Sequence, residues 1–137
     1  MRILFACVGN AARSQMAEAF CRELGRDIEC ASAGTGPARA LMPETIAVMD
    51  EVGLDLSAAR PRGFANLPPA RFDIIVAMGR DVVPPFLPCD KLVKWRIPDP
   101  LGRDIGFYRR VRDRIHKQVR DLLDSLGRLR PDETRDR

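Results

Sequence analysis

Cys7-Val8-Gly9-Asn10-Ala11-Ala12-Arg13-Ser14 joins two segments of different periodicity. Before it, Arg2-Ile3-Leu4-Phe5-Ala6 is a short apolar run of the kind a buried strand requires. After it, Ser14 to Gly25 reads as a helix, with Gly25 as its stop. A cysteine and an arginine therefore lie on the turn from the end of a strand into the start of a helix. Backbone N–H groups there lack helical partners, and the helix dipole adds partial positive charge. Such a turn suits a tetrahedral oxyanion. Val8, Gly9, Asn10, Ala11, Ala12 and Ser14 are the candidate substrate-binding residues. Gly9 is expected to let the loop curl, and Asn10 to tolerate a left-handed conformation. Arg13 can grip two oxygens in a fork. The same field favours a thiolate on Cys7, the nucleophilic form. Ser14 can donate a hydrogen bond to that thiolate or cap the helix.

Working outward, Asp27 to Ser32 alternates as a second strand, and Gly34-Thr35-Gly36-Pro37 is a loop. Pro43 opens a helix carrying Ile46, Met49 and Val52, which Gly53 ends. Asn66 to Arg71 reads as a short helical turn. Phe72 to Met78 is the clearest buried strand, Gly79 to Pro88 a loop or short helix, and Leu92 to Trp95 a fourth strand. Gly106 to Leu126 is an amphipathic helix with Phe107, Val111, Ile115, Val119, Leu122 and Leu126 on its apolar stripe. His116, the single histidine, is expected at the surface and not as a base. Residues 1–127 form one domain, and 128–137 a polar, disordered tail. Alternating strands and helices predict an α/β fold: a single-domain, four-stranded parallel sheet with helices on both faces. Ligands bind such sheets outside the carboxyl ends of the strands, where Cys7 lies.

The loop fits the C-x5-R-S signature, and with Ile3-Leu4-Phe5 and Met16-Ala17-Glu18-Ala19 it resembles the low-molecular-weight protein-tyrosine phosphatases and the arsenate reductases that share their fold. The likeness continues through Ser32-Ala33-Gly34, Gly53-Leu54-Asp55-Leu56-Ser57 and Asp99-Pro100, over roughly residues 1–127. The resemblance implies a strand order of 2-1-3-4, Cys7 as nucleophile, Arg13 as oxyanion ligand and Asp99 as general acid. Thioredoxin-linked reductases of this kind place resolving cysteines where this chain has Ala12, Gly79 and a residue within 84–86. Cys89, in a Pro-rich loop, is the remaining redox candidate. Cys21 and Cys30 read as small apolar core residues.

A chain of 137 residues, 45% of them hydrophobic, is long enough for one proper core. No apolar run approaches the roughly 20 residues a membrane span needs, and no signal-peptide pattern opens the sequence, so a cytoplasmic protein with four free thiols is expected. The net charge of +4 sits partly on the last helix among interspersed aspartates, which argues for a solvated face and against nucleic acid. The loop chemistry needs no metal and no organic cofactor. The missing resolving cysteines favour a phosphomonoester phosphatase working through phosphocysteine, on phosphotyrosine proteins or small aryl phosphates. The alternative is an arsenate reductase served by an external small thiol or a thioredoxin-like partner, toward which Gln15 and Leu101-Gly102-Arg103 lean. An inert phosphate- or nucleic-acid-binding module is the remote third.

Overall fold

A computed structural model describes residues 1–68, 70–79 and 87–131. Four parallel strands, β1 (Arg2–Cys7), β2 (Glu29–Gly34), β3 (Phe72–Met78) and β4 (Cys89–Trp95), form one sheet in the order β2-β1-β3-β4. Three α-helices accompany them: α1 (Arg13–Leu24), α2 (Pro43–Asp50) and α3 (Ile105–Ser125). None is long and apolar enough to cross a membrane among the described residues.

β1 occupies the sheet interior, and its residues Ile3 to Cys7 are buried, which is why it reads as a continuous apolar run. Ile3 and Phe5, with Ile74 and Val76 in register beside them, enter a core shared with all three α-helices. Leu4 and Ile75 face the other way, under Phe64 and Leu67. Both faces are thus covered, but unequally: α-helices on one, a single 3-10 turn (Phe64–Asn66) and its flanking loop on the other. That turn lies earlier than the expected Asn66–Arg71.

The strand ends differ from the sequence expectation for identifiable reasons. Asp27, at φ 54°, belongs to a turn, so β2 begins at Glu29 and runs on to pair Gly34 with Cys7. β4 starts at Cys89, opposite Phe72, three residues before the expected Leu92. As an edge strand it pairs through its backbone, so the polar Asp90 and Lys91 do not interrupt it. Cys89 is therefore a strand residue, not a loop residue. The expected loop from Gly79 to Pro88 lies mostly outside the described residues.

α3 is capped by Asp104, whose carboxylate accepts from Phe107 N at 2.8 Å. Its buried line is Tyr108, Val111, Ile115, Val119 and Leu123. Phe107 flanks this line instead of leading it, and the Arg103 guanidinium lies 4.0 Å from its ring centroid. His116 is half-buried, stacked on Phe20 of α1 with centroids 4.6 Å apart, so it belongs to the helix–helix contact more than to the surface.

Two further expectations need correction. Cys21 and Cys30 are not free thiols but a disulfide joining α1 to β2, with Cα atoms 6.3 Å apart. Their burial was foreseen; that two buried positions nine residues apart face each other follows from α1 crossing β2. The expected tail is also docked at its start: Leu129 is buried and bridges Gly25, and Arg130 Nε donates to Gly25 O at 2.9 Å. Residues 132–137 lie outside the described residues.

Candidate active site

β1 delivers Cys7 to the carboxyl end of the sheet, and α1 starts six residues later. The carbonyls of Cys7, Val8, Gly9 and Ala11 accept bonds from the N–H groups of Thr35, Gly36, Ala38 and Met42, at 2.9–3.2 Å. In a trans peptide the N–H points opposite to the carbonyl. Those four bonds therefore turn the N–H groups of Val8, Gly9, Asn10 and Ala12 toward the inside of the loop. Asn10 N checks this directly, lying 3.3 Å from Cys7 Sγ as a donor. The loop can come this close to β2 because residue 34 is glycine. A Cβ there would stand 2.3 Å from Val8 O and 2.9 Å from Asn10 N.

The curl lies at Asn10, with φ 51°, as its residue type foretold; Gly9 shows no positive φ and needs no such freedom. Asn10 is fully buried and uses its whole amide. Nδ2 donates to Ser14 Oγ at 2.8 Å and to Ser32 Oγ at 2.9 Å. Oδ1 accepts from Gln15 Nε2 and from Arg62 N, both at 2.9 Å. Ser32 then donates to Glu18 Oε1 at 2.7 Å, and Glu18 pairs with Arg22 at 2.8 Å. Ser14 Oγ accepts from Asn10 and keeps its own proton available for Cys7 Sγ, 2.7 Å away, where either atom can donate. Ser14 does not cap α1; the N-cap position is Ala12, which has no side-chain hydrogen bond.

Arg13 is buried, and its Nη1 donates to Met78 O at 2.7 Å and Ile97 O at 3.1 Å. These are carbonyls at the carboxyl end of β3 and just past β4. Nη2 lies 3.6 Å from Asp99 Oδ2. Asp99 Oδ1 accepts from Leu101 N at 3.0 Å, so Asp99 is both a turn residue and a partner of Arg13.

Cys7, Val8, Gly9, Ala11, Ala12, Arg13 and Asp99 line one cleft of about 240 Å³, closed by Ala38, Met42 and Leu101. Asn10 and Ser14 are buried beneath it and touch Cys7, so they sit behind the cleft and not on its wall. Among the described residues no aromatic side chain lines it. Cys89 is not part of the site. It is level with Phe72 in the ladder, while Cys7 is level with Met78, two strands away. Six residues at about 3.3 Å each place it roughly 20 Å down the sheet. A disulfide needs Cα atoms within about 7 Å, so β4 would have to leave the sheet.

Gln15, Ser32, Glu18 and Gly34 were seen in the sequence only as points of family likeness; Gln15, Ser32 and Gly34 meet the loop across up to 26 residues, Glu18 reaches it only through Ser32, and no local pattern encodes them.

The sequence profile of the low molecular weight phosphotyrosine protein phosphatase family matches residues 2–132. The chain is 30% identical over 130 residues to the glutaredoxin arsenate reductase of Synechocystis sp., covering 92% of this chain and 98% of that one. It is 37% identical over 124 residues to the arsenate reductase of Staphylococcus xylosus, covering 88% and 94%. Among solved structures, the arsenate reductase of Archaeoglobus fulgidus superposes with a TM-score of 0.78 at 32% identity, over 89% of this chain and 98% of that one.

Proposed function

The chain belongs to the low molecular weight phosphotyrosine protein phosphatase family, and from that premise we propose that it is an arsenate reductase using Cys7 as nucleophile and an external thiol as reductant. This reverses the preference for a phosphatase that the missing resolving cysteines suggested. One observation carries the reading: among the described residues the cleft around Cys7, of about 240 Å³, is walled by Ala38, Met42 and Leu101, with no ring to clamp a phenyl group. The names of the relatives at 30% and 37% identity support it.

Arsenate enters with its oxygens toward the inward N–H groups and the Arg13 guanidinium. The Cys7 thiolate, held by Ser14 Oγ and Asn10 N, attacks arsenic and forms an S–As(V) bond. An arsenate oxygen leaves as water, with Asp99 supplying a proton. An external thiolate then attacks Cys7 Sγ. The S–As electron pair passes to arsenic, which departs as arsenite, and Cys7 is left in a mixed disulfide. A second external thiol frees Cys7 and releases the reductant as its disulfide. Per turnover, two thiols are oxidised and As(V) becomes As(III). The thiols must come from outside because Cys89 is at the far end of the sheet and Cys21 is bonded to Cys30.

The test is arsenite formation by the purified protein with several thiol systems, glutaredoxin-coupled ones included. Cys7→Ser should abolish it, and Cys89→Ser should leave it unchanged. Brisk aryl phosphate turnover with no arsenite under any thiol would overturn the reading in favour of the phosphatase.

A further inference from the structure

A second cleft, of about 450 Å³, adjoins the first and shares Arg13 and Asp99 with it. Its other walls include Arg96, Arg114, Ile97 and Pro98. The volume lies within the roughly 300–1,000 Å³ of small-molecule sites, whereas the Cys7 cleft falls below it. Three guanidinium groups meet one carboxylate here. Arg13 is spent on Met78 O, Ile97 O and Asp99. Arg96 and Arg114 have no carboxylate partner among the described residues; Arg114 Nε meets only the neutral Gln118 Oε1, at 3.2 Å. Three other cations of α3 differ: Arg109 and Arg112 are committed to Glu51, and Lys117 to Asp121.

We propose that this cleft binds the carboxylate end of a small anionic thiol, the reductant of Cys7. The inference rests on the proposed reductase chemistry for its biological purpose. Arg96 and Arg114 hold the carboxylate, in the fork geometry guanidinium favours. Pro98, exposed beside the buried Ile97, gives an apolar surface for the carbon chain. The wall made by Arg13 and Asp99 is common to both clefts, so a thiol anchored on one side borders the space in which Cys7 reacts. The step is the one above: thiolate sulfur bonds to Cys7 Sγ, and the S–As pair leaves with arsenic.

The site can be tested without arsenate. The Cys7 thiolate attacks a disulfide RSSR to give Cys7–S–SR and RS⁻, and the rate is read by mass. Two disulfides are compared, that of mercaptosuccinate, which is anionic, and 2-hydroxyethyl disulfide, which is neutral. Native protein should prefer the anionic reagent. Arg96→Ala with Arg114→Ala should cut its rate about ten-fold, the worth of two exposed ion pairs, and leave the neutral rate unchanged. High salt should erase the same preference. In arsenate reduction the double variant should raise KM for mercaptosuccinate, and not for 2-mercaptoethanol, by a similar factor. Equal loss with both reagents, or no loss with either, overturns the site. A charge preference that depends on Arg96 and Arg114, in a protein that reduces no arsenate, supports the site while the reductase reading falls.

Discussion

Asn10 commits both amide hydrogens and both lone pairs of its side chain to the loop, at a φ that most residues avoid. Asn10→Ala would strand Ser14, Ser32 and Gln15 together, and should lower the unfolding free energy by about 3 kcal/mol in denaturant titration. A loss below about 1 kcal/mol would show that the network is not a rigid unit. Ser14→Ala tests a narrower point, because Ser14 does not cap the helix. Its hydroxyl lies 2.7 Å from Cys7 Sγ and also accepts from Asn10 Nδ2, so the alanine variant should slow Cys7 alkylation by iodoacetamide about ten-fold and lower the unfolding free energy by about 1 kcal/mol. An unchanged rate would remove Ser14 from the activation of Cys7. The placement of Cys7, Arg13 and Asn10 on one turn could be read from sequence because strand, turn and helix follow one another directly. Gly34 could not, since its constraint is Val8 O across a strand pair.

At the scale of elements, α2 and α3 are tied by Glu51, just past the end of α2, which pairs with Arg109 at 2.8 Å and Arg112 at 2.7 Å. The Arg109 hydrogen bond is the largest influence on this carboxyl; with that of Arg112, and against desolvation, it brings the pKa from an ordinary 4.5 down to about 2. A depressed carboxylate stabilises the fold fully above its unfolded value and loses that contribution as pH falls through its folded one. Stability owed to Glu51 should therefore fade between about pH 4.5 and pH 2. Glu51→Gln has no such titration, so its stability should fall less steeply over that interval and converge with the native value at the acid end. Parallel acid curves for the two proteins would exclude the effect. The helices were legible from periodicity, yet the stripe of α3 was placed one residue off at each end. Val111, Ile115 and Val119 fit two stripes equally, and only the packing selects Tyr108 and Leu123 over Phe107 and Leu122. β4 was cut short because alternation reports exposure, while an edge strand is held by its ladder.

For the whole molecule, the Cys21–Cys30 bond closes a short loop and staples α1 to β2, the two elements that carry Glu18 and Ser32. Loop-closure entropy for nine residues amounts to about 2–3 kcal/mol. Cys21→Ala combined with Cys30→Ala should lower stability by that amount in non-reducing buffer. The gap to the native protein should shrink when both are measured in excess dithiothreitol, and a gap that never opens would mean the bond contributes nothing. Parallel layers were deducible from the alternation of elements, but the pairing of these two cysteines was not, because composition speaks to compartment and not to proximity. The placement of Cys89 has a practical outcome. Cys7 and Cys89 mark opposite poles of one rigid sheet, about 20 Å apart along the strands and two strands, about 10 Å, across. Phosphate occupying the Cys7 cleft should shield one pole during labelling while the other reacts, so two different spin labels or fluorophores can be installed in turn. The chain thus carries an internal ruler of roughly 22 Å, whose reading changes when the edge strand peels away and holds steady when only the loop around Cys7 moves.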